Sequence, residues 1–509
     1  MEQSNIVNEN SIHTEVEILQ DKIEEKKITY QVWDIIFAYI MLVLGYCFIH
    51  FVLWNVTGVF TTLFFWITTL GCIFYLKKNN YRQSKSNLLQ IGVIMLFAIV
   101  FSITANDFIK FLNVIFLLLF GIYWVYSVCK ENSRIGRFFF FDMVKSIIIM
   151  PFAGFAQAPK AIAYSSNKSK YSYNAKLILI GLIVTIPLTV IVGGLLTSAD
   201  RGIERMFSVL FSNIHENVIT TVVKFFMGLP VAFYMFGMLY SNSKKEKQDV
   251  LTPEQCEENI NKIKTTPNII MYSAVTPICI LYVMFFVSQL QYFISAFAGQ
   301  LPDGYSVSEY ARRGFFELCA IAIINLIVHV VINSFSKHSG EIKPIILKIY
   351  SAMISVFTVF IIATALSKMI LYINQYGLTR LRVYTSWFMI LLFLIFIYMI
   401  IKQVYTHFNI SKYLFVTFVV FFGFLSFSNV DGLIARYNIE MYQAGNLEEL
   451  DVEALCYLSD DGLIYVLEQD IDTKGYLDYA LDQYTYSPYR LYNLSSYRVK
   501  HLLENQNVE

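Results

Sequence analysis

An all-α bundle of about eleven membrane-spanning helices, ending in a small helical tail, is the fold class this sequence predicts. Three observations predict it. The chain has 509 residues, of which 56% are hydrophobic and 17% aromatic, and a mean hydropathy of +0.53. Only 15% of residues are charged, against roughly 25% in soluble domains. Apolar runs near the ~20 residues that a helix needs to cross the hydrocarbon core recur along the chain. The in/out alternation of a β-barrel is missing, so the spans read as helices.

The N-terminal tail, residues 1–31, is hydrophilic and of mixed charge. It lacks the features of a cleaved signal peptide, so the first span is expected to direct insertion. The first two spans run from Trp33 to Trp54 and from Thr57 to Leu76, joined by a link short enough for a tight hairpin. Lys77, Lys78, Arg82 and Lys85 follow, and four cations in one short loop mark it as cytoplasmic. Leu88–Thr104 and Ile109–Val128 are the third and fourth spans.

From Cys129 to Lys176 the chain carries eight cations around a short apolar run broken by Pro151 and Gly154. That pattern reads as an interfacial or re-entrant helix on the cytoplasmic side. A fifth span is expected over Leu177–Leu196. It is followed by an amphipathic helix over Ile203–Ile214, where apolar residues recur at helical spacing. Spans six to eleven fall at Thr221–Tyr240, Ile269–Tyr292, near Leu318–Phe335, Ile345–Tyr372, Ser386–Ile401 and Tyr413–Phe427.

The transmembrane domain therefore covers residues 32–429, with the N-terminus cytoplasmic. Residues 430–509 hold five basic residues (Arg436, Lys474, Arg490, Arg498 and Lys500) and many more acidic ones. They predict an acidic, extracytoplasmic, helical tail with short helices at Leu433–Met441, Val452–Leu458, Leu463–Leu467 and Tyr476–Leu481.

Charge in a chain this apolar is where function concentrates. Five segments bring polar groups to the outer edge of the bundle. Asp200 follows the fifth span, and Gln289 and Tyr292 close the seventh. Glu309, Tyr310, Arg312, Arg313 and Glu317 open the eighth, and Asn325 lies further along it. Lys368, Arg380 and Arg382 surround the ninth span's outer end, while Asp431, Arg436 and Asn438 enter from the tail. Arg313 and Glu317 are four residues apart and can pair on one helix face. An arginine cluster suits bidentate recognition of carboxylate or phosphate. The same groups also suit plain anchoring of helix ends.

Other function classes lack support. A net charge of +1 gives no bulk attraction for nucleic acid. The seven cysteines are scattered, with no zinc spacing and no disulfide framework. No Walker, HExxH or GxSxG motif occurs. No cofactor is therefore expected.

The segments Glu309–Leu318 with Asn325, Leu195–Asp200, Gln289–Tyr292, Tyr376–Thr379 with Arg382, and Ala435–Ile439 with Leu458 and Ser459 together resemble a family of uncharacterised bacterial membrane proteins. That family is domain of unknown function 4173, with relatives in the 4153 group. The resemblance covers residues 30–465. It implies a multi-pass integral membrane protein and brings no catalytic residues.

The expected function is a non-enzymatic component of cell-envelope transport or signalling in the bacterial cell membrane. Its expected partners are the lipid bilayer, and an anionic lipid headgroup or peptide at the Arg/Glu cluster. The alternatives are a membrane enzyme acting on a lipid-linked or phosphate-bearing substrate, and a structural subunit that binds another membrane protein.

Overall fold

The computed structural model describes residues 30–130, 136, 139–165, 181, 185, 188–189, 192–203, 206, 216–244, 253–264, 266–297, 315–337, 344–405, 407–469, 471 and 492–506. Among these residues the chain is helical, and eleven helices are long and apolar enough to cross a membrane.

The first half forms one bundle. Helix α1 (Val32–Phe48) runs into a π-helical turn, Ile49–Trp54, and is followed by α2 (Val59–Lys78). Ser84 accepts from the Asn87 amide and starts α3 (Lys85–Ala98), which continues as α4 (Val100–Ile103). Asn106 likewise accepts from the Ile109 amide and starts α5 (Asp107–Cys129). A side-chain oxygen at this position satisfies an amide that the helix leaves without a partner.

The run predicted to be interfacial or re-entrant is broken into α6 (Phe139–Val144), a π-turn, α7 (Met150–Ala153) and α8 (Gln157–Ser165). Taken as one run, Phe139–Ser165 is among the eleven stretches long and apolar enough to cross a membrane, where the sequence led to the expectation of an interfacial or re-entrant helix. Asp142 meets Lys130 at the end of α5, Ile147 accepts from Tyr234 midway along α9 (Glu216–Ser243), and Gln157 returns to Tyr30 at the start of α1. Asp142 and Gln157 thus lie at one end of the bundle. The break falls where Gly154 meets the backbone of Gly237, an approach that leaves no room for a Cβ. Of the predicted fifth span and the amphipathic helix after it, most lies outside the described residues.

The second half begins with α10 (Pro253–Ile263) and α11 (Asn268–Phe297). Then come α12 (Phe315–Phe335), α13 (Ile345–Tyr376), α14 (Arg380–Val404) and α15 (Ile410–Phe427). Helix α13 packs along both α12 and α14. The apolar stretch of α11 is only 17% buried, against 50% for α5. Helix α11 therefore turns most of its circumference outward, and its exposed Ile280, Leu281, Met284 and Val287 suit contact with lipid tails.

The predicted tail helices appear as α16 (Val430–Gln443), α17 (Val452–Cys456) and α18 (Asp460–Glu468). The stretch Tyr476–Leu481 lies outside the described residues. A further helix, α19 (Leu494–Gln506), was not anticipated. Helix α16 starts at Asn429, whose φ of 48° is left-handed and whose side chain accepts from the Gly432 amide. Asparagine tolerates that conformation better than most residues. Ala435, Ile439, Leu455, Val466 and Val499 form a small core of their own.

At one end Lys244 pairs with buried Asp34 at 3.5 Å and donates to Asn79, while Lys130 pairs with Asp142 at 2.7 Å. The other end carries the tail.

Candidate functional site at the tail end of the bundle

Helix starts and ends converge where the tail meets the spans, and they build two neighbouring arrangements. One is sealed and the other is open.

The sealed arrangement centres on Asp431, in the first turn of α16 and fully buried. Arg380, at the start of α14, grips it with Nε at 2.8 Å and Nη2 at 2.6 Å. Asn106 Nδ2 donates at 2.9 Å, and the Ser459 amide and hydroxyl also donate. Two residues of the bundle and one of the tail are thereby tied to one carboxylate. Burial alone would raise the pKa of Asp431. Arg380 and Ser459 outweigh it and hold the carboxyl below the usual range.

A second tail carboxylate, Asp461, accepts from the Thr104 hydroxyl and from the Ala105 amide at 3.0 Å. With no cation of the described residues acting on it, burial prevails and pushes its pKa up, and the nearby Asp431 charge adds to the rise. Asn493 completes the junction by donating to the Phe101 and Thr104 carbonyls at 2.9 and 2.6 Å. Val59 donates its amide to the Tyr492 carbonyl at 2.8 Å, and Gly58 packs so close to that carbonyl that a Cβ would lie 2.5 Å from it.

The open arrangement is a recess of about 240 Å³ walled by Phe315 and Phe316 of α12, Met369 and Tyr372 of α13, and Thr379, Leu381 and Arg382 at the start of α14. Arg382 Nη1 donates to the carbonyls of Tyr376 (2.8 Å) and Gly377, which end α13. Its guanidinium carbon lies 4.1 Å from the centre of the Tyr372 ring. Its Nε and Nη2 make no hydrogen bond to the described residues. Gly377, at φ 73°, allows the sharp turn between α13 and α14. Asn438 fixes that turn from the tail, accepting from the Leu378 amide at 2.6 Å and donating to its carbonyl at 2.9 Å. A larger hollow of about 540 Å³ is lined, among the described residues, by the single run Thr197–Arg201.

Of the residues singled out from the sequence, Arg380, Arg382 and Asn438 are brought together here. Glu317 is exposed in the first turn of α12, next to the recess wall, and within electrostatic reach of half-buried Lys368. Asn325 lies deeper and fully buried, accepting from Tyr282 and donating to Thr358 at 2.8 Å, which binds α11, α12 and α13 together. Arg436 faces outward and pairs along its own helix with Glu440 at 2.7 Å. Asp200 accepts from the amides of Gly202 and Ile203 in its own turn. Gln289 and Tyr292 are on α11, where only the backbone is described, and Glu309, Tyr310, Arg312 and Arg313 lie outside the described residues. Sequence reasoning missed Asn106, Ser459 and Asp461. The first two stood at predicted element boundaries, the one signal that could have flagged them.

Among the described residues no group of three histidine, cysteine or acidic side chains is placed to hold a metal ion. The fold and this junction define a polytopic helical membrane protein whose tail is fastened to one end of its bundle. A family model matches residues 91–469, and the chain belongs to that family, the domain of unknown function DUF4153. The match is to the group that the sequence reading named as a relative, rather than to 4173 itself. No curated protein and no solved structure matches the chain.

Proposed function

We propose that this is a non-enzymatic cell-envelope protein of a bacterial cell membrane, which binds the anionic headgroup of an amphiphile in the recess beside Arg382 and serves transport or signalling. Within the family it stands close to the 4173 group, whose pattern the Glu309–Leu318 segment carries. The observation that carries the reading is the guanidinium of Arg382. It is steadied by two carbonyls and a tyrosine ring, and it lines a recess whose walls are otherwise largely aromatic and aliphatic. Its remaining donors, Nε and Nη2, suit one phosphate or carboxylate, and the apolar walls suit the chain attached to it. Lys368 and Glu317 border the same region and set its local charge.

The tail end is the extracytoplasmic one in this reading. Its support is the gathering of Lys77, Lys78, Lys130 and Lys244 at the opposite end, as expected of a cytoplasmic face. Native mass spectrometry of the delipidated protein titrated with phosphatidylglycerol tests the recess. Arg382→Gln should lose one retained lipid and keep its fold. Retention of the full complement would remove the basis for the proposal.

A further inference from the structure

We propose a second site, separate from the recess, that binds a phosphate group between α1 and α9 at the tail end, with Lys224 as its cation. The two helices cross where Gly45 meets Gly228. A Cβ on Gly45 would lie 2.3 Å from the Gly228 carbonyl, so only glycine permits this approach. Lys224 is one turn from Gly228 on the same face of α9. On α1 the residues after the crossing enter the π-turn Ile49–Trp54, which widens the helix by one residue and changes which side chains face α9. Such turns are rare and concentrate at functional sites. Here the turn carries His50 and Trp54 to Lys224.

The chemistry of the cluster is one-sided. Lys224 is only 7% exposed. Its Nζ lies 3.3 Å from His50 Nδ1 and 5.0 Å from the centre of the Trp54 ring. No carboxylate of the described residues pairs with it. An ammonium carries three donors and no acceptor, and an imidazole nitrogen and an aromatic face leave its charge uncompensated. Asn55 Nδ2 donates to the His50 carbonyl at 2.8 Å and lies 3.4 Å from His50 Nε2, which ties the π-turn's end to that ring. A covered cation is costly without an anion beside it. Snorkelling does not describe this lysine, because its stem does not carry the head into the open. Trp54 remains 48% exposed, as a side chain at the headgroup level would be. A phosphate oxygen supplies the missing acceptor and charge. The group could arrive as the headgroup of a phospholipid in that leaflet or as free phosphate.

The full chain in phosphatidylcholine nanodiscs tests this, with phosphatidylglycerol in one arm and inorganic phosphate in the other. Native mass spectrometry reads lipid retention, and thermal unfolding reads stabilisation by either ligand. Wild type should retain a phosphatidylglycerol that Lys224→Gln binds at least about tenfold more weakly, the loss expected for one charge-assisted contact. Lys224→Arg should retain it. Stabilisation by phosphatidylglycerol alone identifies a lipid site, and stabilisation by inorganic phosphate identifies a soluble anion. If wild type responds to neither, the proposal is overturned, and this result needs no variant to fold. Equal retention by Lys224→Gln and wild type overturns it as well. Arg382→Gln should leave this lipid in place, so the two sites stand or fall separately.

Discussion

Arg380 and Arg382 are two residues apart at the start of one helix, yet they belong to opposite kinds of environment. Arg380 reaches a fully buried carboxylate and, with Asn106 and Ser459, closes a sealed clamp between bundle and tail. Arg382 turns the other way, leans on backbone carbonyls and a tyrosine ring, and borders an open recess. Successive helical residues point about 100° apart, so two positions are enough to separate a strut from a binding group. A cluster of arginines at one membrane depth is therefore not one site. What each faces decides its role, and the decisive partner of Arg380 is a single tail aspartate.

The comparison breaks most readily at Asp431. Asp431→Ala leaves Arg380 partly buried without its anion. It should destabilise the folded protein by about 1.5–3 kcal/mol, the range for lost hydrogen bonds to a charged group, because the Arg380 side chain is 39% exposed and water can replace its anion. Thermal unfolding in detergent and faster proteolysis after residue 430 are the readouts. Unchanged unfolding and proteolysis would show that the clamp holds nothing. Next in size is Gly58→Val, which drives a side chain into the Tyr492 carbonyl and should cost about 1–3 kcal/mol through forced displacement. It should free residues near 492 to proteases before the rest of the tail.

Arg382→Gln is expected to lower stability by no more than about 1 kcal/mol, because what it gives up is hydrogen bonding at the end of α13. Its effect on lipid retention should be far larger than its effect on unfolding, the reverse of Asp431→Ala.

The smallest effect sharpens the clamp itself, because its two carboxylates titrate in opposite senses. Asp431, with its pKa lowered, contributes stability that is present above the unfolded carboxylate pKa of about 3.9 and is lost as pH falls through the folded value. Asp461, with its pKa raised, contributes stability that is present at low pH and is lost as pH rises through its folded value. Asp461→Asn keeps an oxygen for Thr104 and Ala105 without the buried charge. It should therefore unfold at the same or a slightly higher temperature than wild type near neutral pH. That advantage should vanish on mild acidification, before Asp431 is protonated. A marked loss of stability in this variant at neutral pH would contradict the assignment.

How much of this was legible in the sequence depends on the length scale. The spans were readable because each is a local run of apolar residues, and the tail helices because Asn446 and the Ser459–Gly462 turn separate them, while their caps at Asn429, Asp451 and Ser459 come from the structure. The clamp was not legible. Asp461 and Thr104 are 357 residues apart, and Asn106 and Asp431 are 325 apart. Ser459–Gly462 reads as a turn and nothing more until Thr104 is placed against it. Arg436 and Arg380 likewise look equivalent as outer-edge cations. Only the packed helices show that one pairs within its own turn and the other across the junction.

The most direct test pairs Arg380→Gln with Arg382→Gln, measuring unfolding temperature and phosphatidylglycerol retention on the same preparations. Arg380→Gln should lose stability as Asp431→Ala does. Arg382→Gln should unfold close to wild type and retain one lipid fewer. If both variants lose stability alike with lipid binding intact, the recess is structural and the division between clamp and binding site is wrong.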